Sequence, residues 1–232
     1  MKTSLLTTAL YLSTLLFIPS MSFAVQPTAE DLKLEKNRLQ YKAYIPAQYL
    51  LFDVVEGDLN QDGQKDLVLM LKATDPKQSI VNRYDKKVDR NRRGVMVLLA
   101  EGKGKYKAIL KNLSAFSSEN EDGGVYFPPD LSLDIQNNKF YVHYGHGRYG
   151  YWTYSFRLEG KDLRLIGYDS SSNHGPYIKS ETSINFLTGK KVVRNNINKE
   201  TEDDPKFKEA WTQFKSPKLY LSKIKDFDQL DF

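Results

Sequence analysis

Residues 49–71 run Tyr49-Leu50-Leu51-Phe52-Asp53-Val54-Val55-Glu56-Gly57-Asp58-Leu59-Asn60-Gln61-Asp62-Gly63-Gln64-Lys65-Asp66-Leu67-Val68-Leu69-Met70-Leu71. Two apolar stretches of strand length flank a short polar loop rich in oxygen-bearing side chains. The stretches Tyr49–Val55 and Leu67–Leu71 have strand-forming composition, and the loop carries the Asp-Gly turn signal. This strand–loop–strand unit sets the expected fold class.

Upstream, Thr28-Ala29-Glu30-Asp31 has the form of a helix start, with Thr28 as N-cap and Asp31 reaching back. Leu32, Leu34 and Leu39 fit a short helix to about Gln40, and Pro46 ends the pattern. Downstream, residues 72–93 form a long polar connection. Gly94–Leu99 is a buried-strand pattern, Gly102-Lys103-Gly104-Lys105 a turn, and Tyr106–Leu110 the returning strand.

The second half repeats the rhythm. Leu131–Ile135 alternates with period two, Gln136–Lys139 turns, and Phe140–Tyr144 returns. Trp152–Leu158 and Leu163–Tyr168 pair across Glu159–Asp162, and Thr182–Phe186 pairs with Lys191–Arg194. Asp203-Asp204-Pro205 is a helix start with Pro205 at its first position, and Phe207, Ala210, Trp211 and Phe214 follow at helical spacing. Ser216-Pro217 stops that helix, and Leu219–Lys223 is a last strand. The expectation is a mainly β chain of antiparallel meanders with short helices near the mature N-terminus and the C-terminus. Residues 25–232 are read as a single β-rich domain, with a second meander over 125–195 and a C-terminal helix and strand over 203–224.

The loop Gly57–Asp66 has the form D-x-N-x-D-G-x-x-D. Asp58, Asn60, Asp62 and Asp66 offer side-chain oxygens, Gln64 offers its backbone carbonyl, and Gly63 permits the sharp turn. Hard oxygen donors on a flexible loop suit Ca²⁺. Three carboxylates this close in sequence repel one another unless a cation lies among them. Position 12 is Leu69, where an EF-hand needs a bidentate Glu, so the EF-hand is excluded. The same residues also make an Asp-Gly hairpin turn that needs no ion.

A calcium loop set between strands resembles the FG-GAP/VCBS repeat. Gly57–Leu71 matches its first part, and Val95–Tyr106 matches the strand–turn–strand that follows, so the resemblance covers about residues 50–110. It implies blade-like sheets, a structural calcium ion, and adhesion or binding as context; it does not imply catalysis. One copy is legible, which argues against a complete propeller, because propeller blades bury one another's faces.

The stretch His143-Tyr144-Gly145-His146-Gly147-Arg148-Tyr149-Gly150-Tyr151-Trp152 joins a permissive backbone to contact-forming side chains. His146, Arg148, Tyr149, Tyr151 and Trp152 are candidate contacts for a protein or glycan partner; the alternative is a Gly-rich hairpin packed on the sheet. His143, His146 and His174 are weaker metal-ligand candidates. Glu119-Asn120-Glu121-Asp122 is acidic but fits no cation template. No G-x-S-x-G or H-E-x-x-H occurs and cysteine is absent, so a binding protein is expected rather than an enzyme.

Residues 1–24 have the build of a cleavable secretory signal: Lys2, an apolar core from Leu5 to Ile18, and Ser22-Phe23-Ala24 at the cleavage site. The mature chain then begins near Val25, in a bacterial periplasm or outside the cell. No cysteine is present, which excludes disulfides and acylation as a lipoprotein, and no later segment is apolar enough for a transmembrane anchor. The net charge of +5 is interspersed. Its densest run, Lys86–Arg93, lacks interleaved aromatics and reads as a solvated loop, so no nucleic-acid partner is expected. The function expected is an exported, calcium-binding, non-enzymatic binding protein. Alternatives are a periplasmic inhibitor or immunity protein against a toxin or hydrolase, and a glycan- or peptide-acting enzyme with unrecognised carboxylates.

Overall fold

The computed structural model describes residues 26–122, 127–198 and 204–232. The export segment 1–24 lies outside the described residues, as do residues 125–126 of the second meander and Asp203 at the expected helix start. Helix α1 spans Ala29–Gln40. The Thr28 hydroxyl oxygen accepts the Asp31 N–H at 3.1 Å, and the Thr28 N–H donates to Asp31 Oδ2 at 2.9 Å. This closes the expected capping box.

The first sheet joins β1 (Tyr49–Gly57), β2 (Asp66–Ala73), β5 (Arg93–Ala100) and β6 (Tyr106–Phe116) in the order β1-β2-β5-β6, antiparallel throughout. Strands β2 and β5 are central and buried on both faces, which is why they appear as unbroken apolar runs. On one face Leu67, Leu69, Leu71, Met96 and Leu98 pack with Leu51 and Tyr41 beneath α1. On the other, Val68, Met70, Val95 and Val97 join the main core. The polar connection 72–93 holds more structure than its composition indicates. It contains a 3-10 turn at Pro76–Gln78 and a hairpin of β3 (Ser79–Val81) with β4 (Lys87–Asp89).

The second sheet is a seven-stranded meander. Its strands are β7 (Asp130–Gln136), β8 (Lys139–Gly145), β9 (Gly150–Glu159), β10 (Asp162–His174), β11 (Tyr177–Asn185), β12 (Lys190–Asn196) and β13 (Phe207–Gln213). Each strand pairs with its sequence neighbour, and the sheet closes into neither barrel nor propeller. The turn between β7 and β8 has both Asn137 and Asn138 at positive φ, the geometry a two-residue hairpin requires. Ser170–His174, which looks like loop sequence, continues β10.

Two expectations for the C-terminal region are corrected. Residues 207–213 form the edge strand β13 and not a helix, with Val192 opposite Trp211 and Val193 opposite Ala210. Helical spacing of the apolar residues misleads here because they bury no common stripe: Ala210 and Trp211 are exposed. Strand β12 supplies the backbone partners instead. The expected last strand reduces to a single bridge of Tyr220 with Arg164, followed by 3-10 turns at Leu221–Lys223 and Phe227–Gln229. Short helical segments thus lie near both ends of the described chain.

One core spans the two larger sheets. Val68, Met70, Val95 and Val97 meet Leu133, Phe140, Val142, Tyr154 and Phe156, and the C-terminal segment adds Leu221, Ile224 and Phe227. Asn112 Nδ2 donates to Leu221 O and Ile224 O, each at 2.7 Å, which pins that segment across β6. Where β1 meets β7 the Ile135 side chain fills the space beside Gly57: a Cβ on Gly57 would lie 2.4 Å from Ile135 Cγ2. No helix among the described residues is long and apolar enough to cross a membrane.

Candidate functional site

The Asp58–Asp66 loop leaves β1 and enters β2, next to the turn between β7 and β8, whose Asn138 Nδ2 donates to Asp58 O at 2.8 Å. Gln61 and Gly63 adopt positive φ and fold the loop tightly. Asp58 Oδ1 accepts the Gln61 N–H at 2.6 Å, and Oδ2 accepts the Gly63 N–H at 3.0 Å. Asn60 Oδ1 accepts the Asp62 N–H at 3.1 Å, and Asp62 Oδ1 accepts the Gln64 N–H at 2.8 Å. The amides of Asn60 and Gln64 donate to Asp62 Oδ2 at 2.9 Å and 3.3 Å. Asp58, Asn60, Asp62 and Gln64 therefore form one network.

Asp66 sits apart from that network in its surroundings. It is fully buried. Its Oδ2 accepts the Leu59 N–H at 2.8 Å and its Oδ1 the Ala100 N–H at 2.9 Å. Burial raises its pKa, the two N–H groups oppose that shift, and the negative charges of Asp62 and Asp58 raise it further. At Asp62 the Gln64 N–H and the Asn60 amide lower the pKa.

The donor set fits a hard cation by type: three carboxylates and two amide-bearing residues, all oxygen donors. Among the described residues Asp58, Asp62 and Asp66 make no ion pair, and Lys65 in the same loop turns to Glu56 at 3.7 Å. The carboxylates point at backbone N–H groups as they stand. Among the described residues no three His, Cys, Asp or Glu side chains are gathered round one point. Each carboxylate oxygen bound to one N–H keeps a further lone pair for a cation.

The aromatic stretch is divided between two faces. Tyr151 lies on the outer face of the sheet and stacks on His143 with centroids 5.6 Å apart. Trp152 faces inward and stacks on Tyr144 at 5.2 Å and 14°. Successive strand residues point oppositely, so Tyr151 and Trp152 cannot share a contact surface. At the tip, His146 Nε2 lies 2.9 Å from Phe127 O, and the His146 ring lies 5.2 Å from Tyr149. Arg148 is exposed beside Tyr149. The structure thus brings His146, Arg148 and Tyr149 together and separates Tyr151 from Trp152. His143 Nδ1 is taken by Thr153 Oγ1 at 2.7 Å.

The basic and acidic runs neutralise each other. Arg90 pairs with Glu121 and Asp122, Arg92 with Asp226, and Lys72 with Asp89 and Glu119. Protein cations thus occupy the surroundings of Glu119–Asp122. Arg93 is not solvated loop at all: it opens β5 and is buried. Its place two residues before Val95 and four before Val97, on the face that meets the second sheet, is the sequence signal that could have found it.

Comparison with protein-family models, curated proteins and solved structures gives no significant match to the chain. What stands is a β-rich protein of antiparallel meanders.

Proposed function

We propose that this is an exported binding protein whose Asp58–Asp66 loop takes one calcium ion as a structural ligand. The observation that carries the reading is the oxygen-only loop whose three carboxylates make no ion pair among the described residues and whose last member, Asp66, is buried and raised in pKa partly by the other two. A cation converts that repulsion into attraction. The four-stranded antiparallel sheet, with the loop between its first two strands and a Gly-containing turn before its last, supports the FG-GAP/VCBS likeness of residues 50–110. In that setting calcium stiffens the junction between the sheets, and the surface at His146, Arg148 and Tyr149 meets a protein or glycan partner.

The test is calorimetric titration of chelated protein with Ca²⁺, paired with melting curves. Saturable heat and a rise in Tm are expected, both lost in Asp58→Ala with Asp62→Ala. Absence of heat and of any shift at millimolar Ca²⁺, where extracellular calcium modules bind, would refute the metal. Export is checked separately by mass spectrometry of protein recovered from outside the cytoplasm, which should begin near Val25.

A further inference from the structure

We propose that the cavity between the two larger sheets, walled by Arg93, Tyr144, Trp152, Ser118 and Pro128, binds a small monocarboxylate. The inference goes beyond the calcium reading and does not rest on it. The cavity measures about 270 Å³, and Asp228 and Glu121 also line it.

Arg93 is 4% exposed and lies on the core-facing side of β5. Its Nε donates to Ser117 O at 2.9 Å, and its guanidinium lies over the Phe52 ring at 5.1 Å. Glu119 is the nearest carboxylate, at 3.8 Å from Nε, and its other oxygen serves Lys72. Among the described residues the two terminal nitrogens of Arg93 make no hydrogen bond, which leaves the paired donors of a planar fork unused.

Tyr144 supplies the independent observation. It is 3% exposed, and its hydroxyl is buried without a hydrogen-bond partner. Buried polar atoms in folded proteins almost always have one. Tyr144 and Arg93 both line this cavity, so a buried cation and the side chain that carries the orphan hydroxyl border one space. Trp152, stacked on Tyr144, and Pro128 give that space an apolar side.

These groups select the ligand class. A guanidinium fork matches the two oxygens of a carboxylate, and the phenol adds a third donor. The two acidic residues of the lining disfavour a dianion. Glu121 is already held, by Ser118 Oγ at 2.9 Å and by Arg90, while Asp228 stays exposed. The fit is therefore to a monoanion with a compact apolar body, the carboxylate inward and the body against Trp152.

The experiment uses benzoate as probe. The chain has two tryptophans, so Trp211→Phe leaves Trp152 as the sole indole reporter. Benzoate is expected to change Trp152 fluorescence saturably in chelator as in Ca²⁺, whereas benzamide, its neutral counterpart, and inorganic phosphate are not. Tyr144→Phe removes only the orphan hydroxyl. It should melt no lower than the parent yet bind benzoate at least about tenfold more weakly, the usual loss for a hydrogen bond to a charged group. Arg93→Gln should abolish binding. Equal affinity for benzamide or phosphate, unchanged affinity in Tyr144→Phe, or no benzoate response would each overturn the proposal.

Discussion

Asp66 Oδ1 accepts the backbone N–H of Ala100 at 2.9 Å, joining the end of the Asp58–Asp66 loop to the end of β5 across 34 positions of chain. The other oxygen of the same carboxylate accepts the Leu59 N–H at 2.8 Å. One buried side chain thus fixes the loop's near end, its far end and the neighbouring strand. That is structural work an ion is not needed for.

Asp66→Ala is therefore expected to destabilise the protein by about 2–4 kcal/mol even in chelator, since two N–H groups lose a charged acceptor. Urea unfolding in EDTA measures it. Asp58→Ala should cost less there, because its N–H donors lie at the exposed loop surface where water replaces the carboxylate. Equal losses in the two variants would show that Asp66 has no special anchoring role.

The raised pKa of Asp66 gives the calcium effect a pH dependence. Ion-free, the folded protein holds the Asp66 proton at a pH where the unfolded chain has lost it. The charged carboxylate therefore costs stability above its folded pKa, and that cost is relieved as pH falls through it. Calcium needs the charged form. The calcium-induced rise in Tm should therefore begin to shrink, as pH falls, before an ordinary aspartate would protonate. Melting curves with and without Ca²⁺ across a pH series check this; a rise that shrinks only where ordinary aspartates protonate would remove Asp66 from the ligand set.

Gly150 has φ of +111°, and a Cβ there would lie 1.8 Å from Ser171 O. This glycine lets the aromatic tip fold back against β10. Gly150→Ala should cost about 3 kcal/mol or more, through a backbone clash that no side-chain rotation relieves. Gly104, at φ +72° with open space around it, should cost only about 1–2 kcal/mol on the same change. Thermal melts of the two variants compare clash with conformation alone.

Two aromatics near the C-terminus are expected to behave oppositely. Phe227 is 1% exposed, its ring 4.8 Å from Phe116 and 5.0 Å from Tyr154, so Phe227→Ala should cost about 3–5 kcal/mol. Trp211 is 60% exposed on edge strand β13, and its indole N–H donates to Glu209 Oε2. Trp211→Ala should change stability by less than about 1 kcal/mol. A large loss at Trp211 would instead favour the buried helical face that residues 207–214 resemble in one dimension.

Read alone, the sequence determined the local architecture wherever a pattern carried its own cause. Thr28 and Asp31 satisfy each other's backbone, so the helix start was legible. Alternating residues in Leu131–Ile135 and unbroken ones in Leu67–Leu71 reported one buried face and two. The D-x-N-x-D-G-x-x-D turn was legible because Asp58, Asn60 and Asp62 bond N–H groups only a few positions away. Tertiary structure decided what depends on partners distant in the chain. Residues 207–213 are a strand because β12 lies beside them, and the spacing of their apolar groups cannot record that neighbour. Tyr151 and Trp152 are consecutive yet fall on opposite faces, so the aromatic stretch became a tip and a core wall. Arg93 belonged to a basic run by composition, but it is buried because β5 already begins at that residue. Burial is a property of two surfaces meeting, and the chain specifies each surface locally while only the packed sheets bring them together.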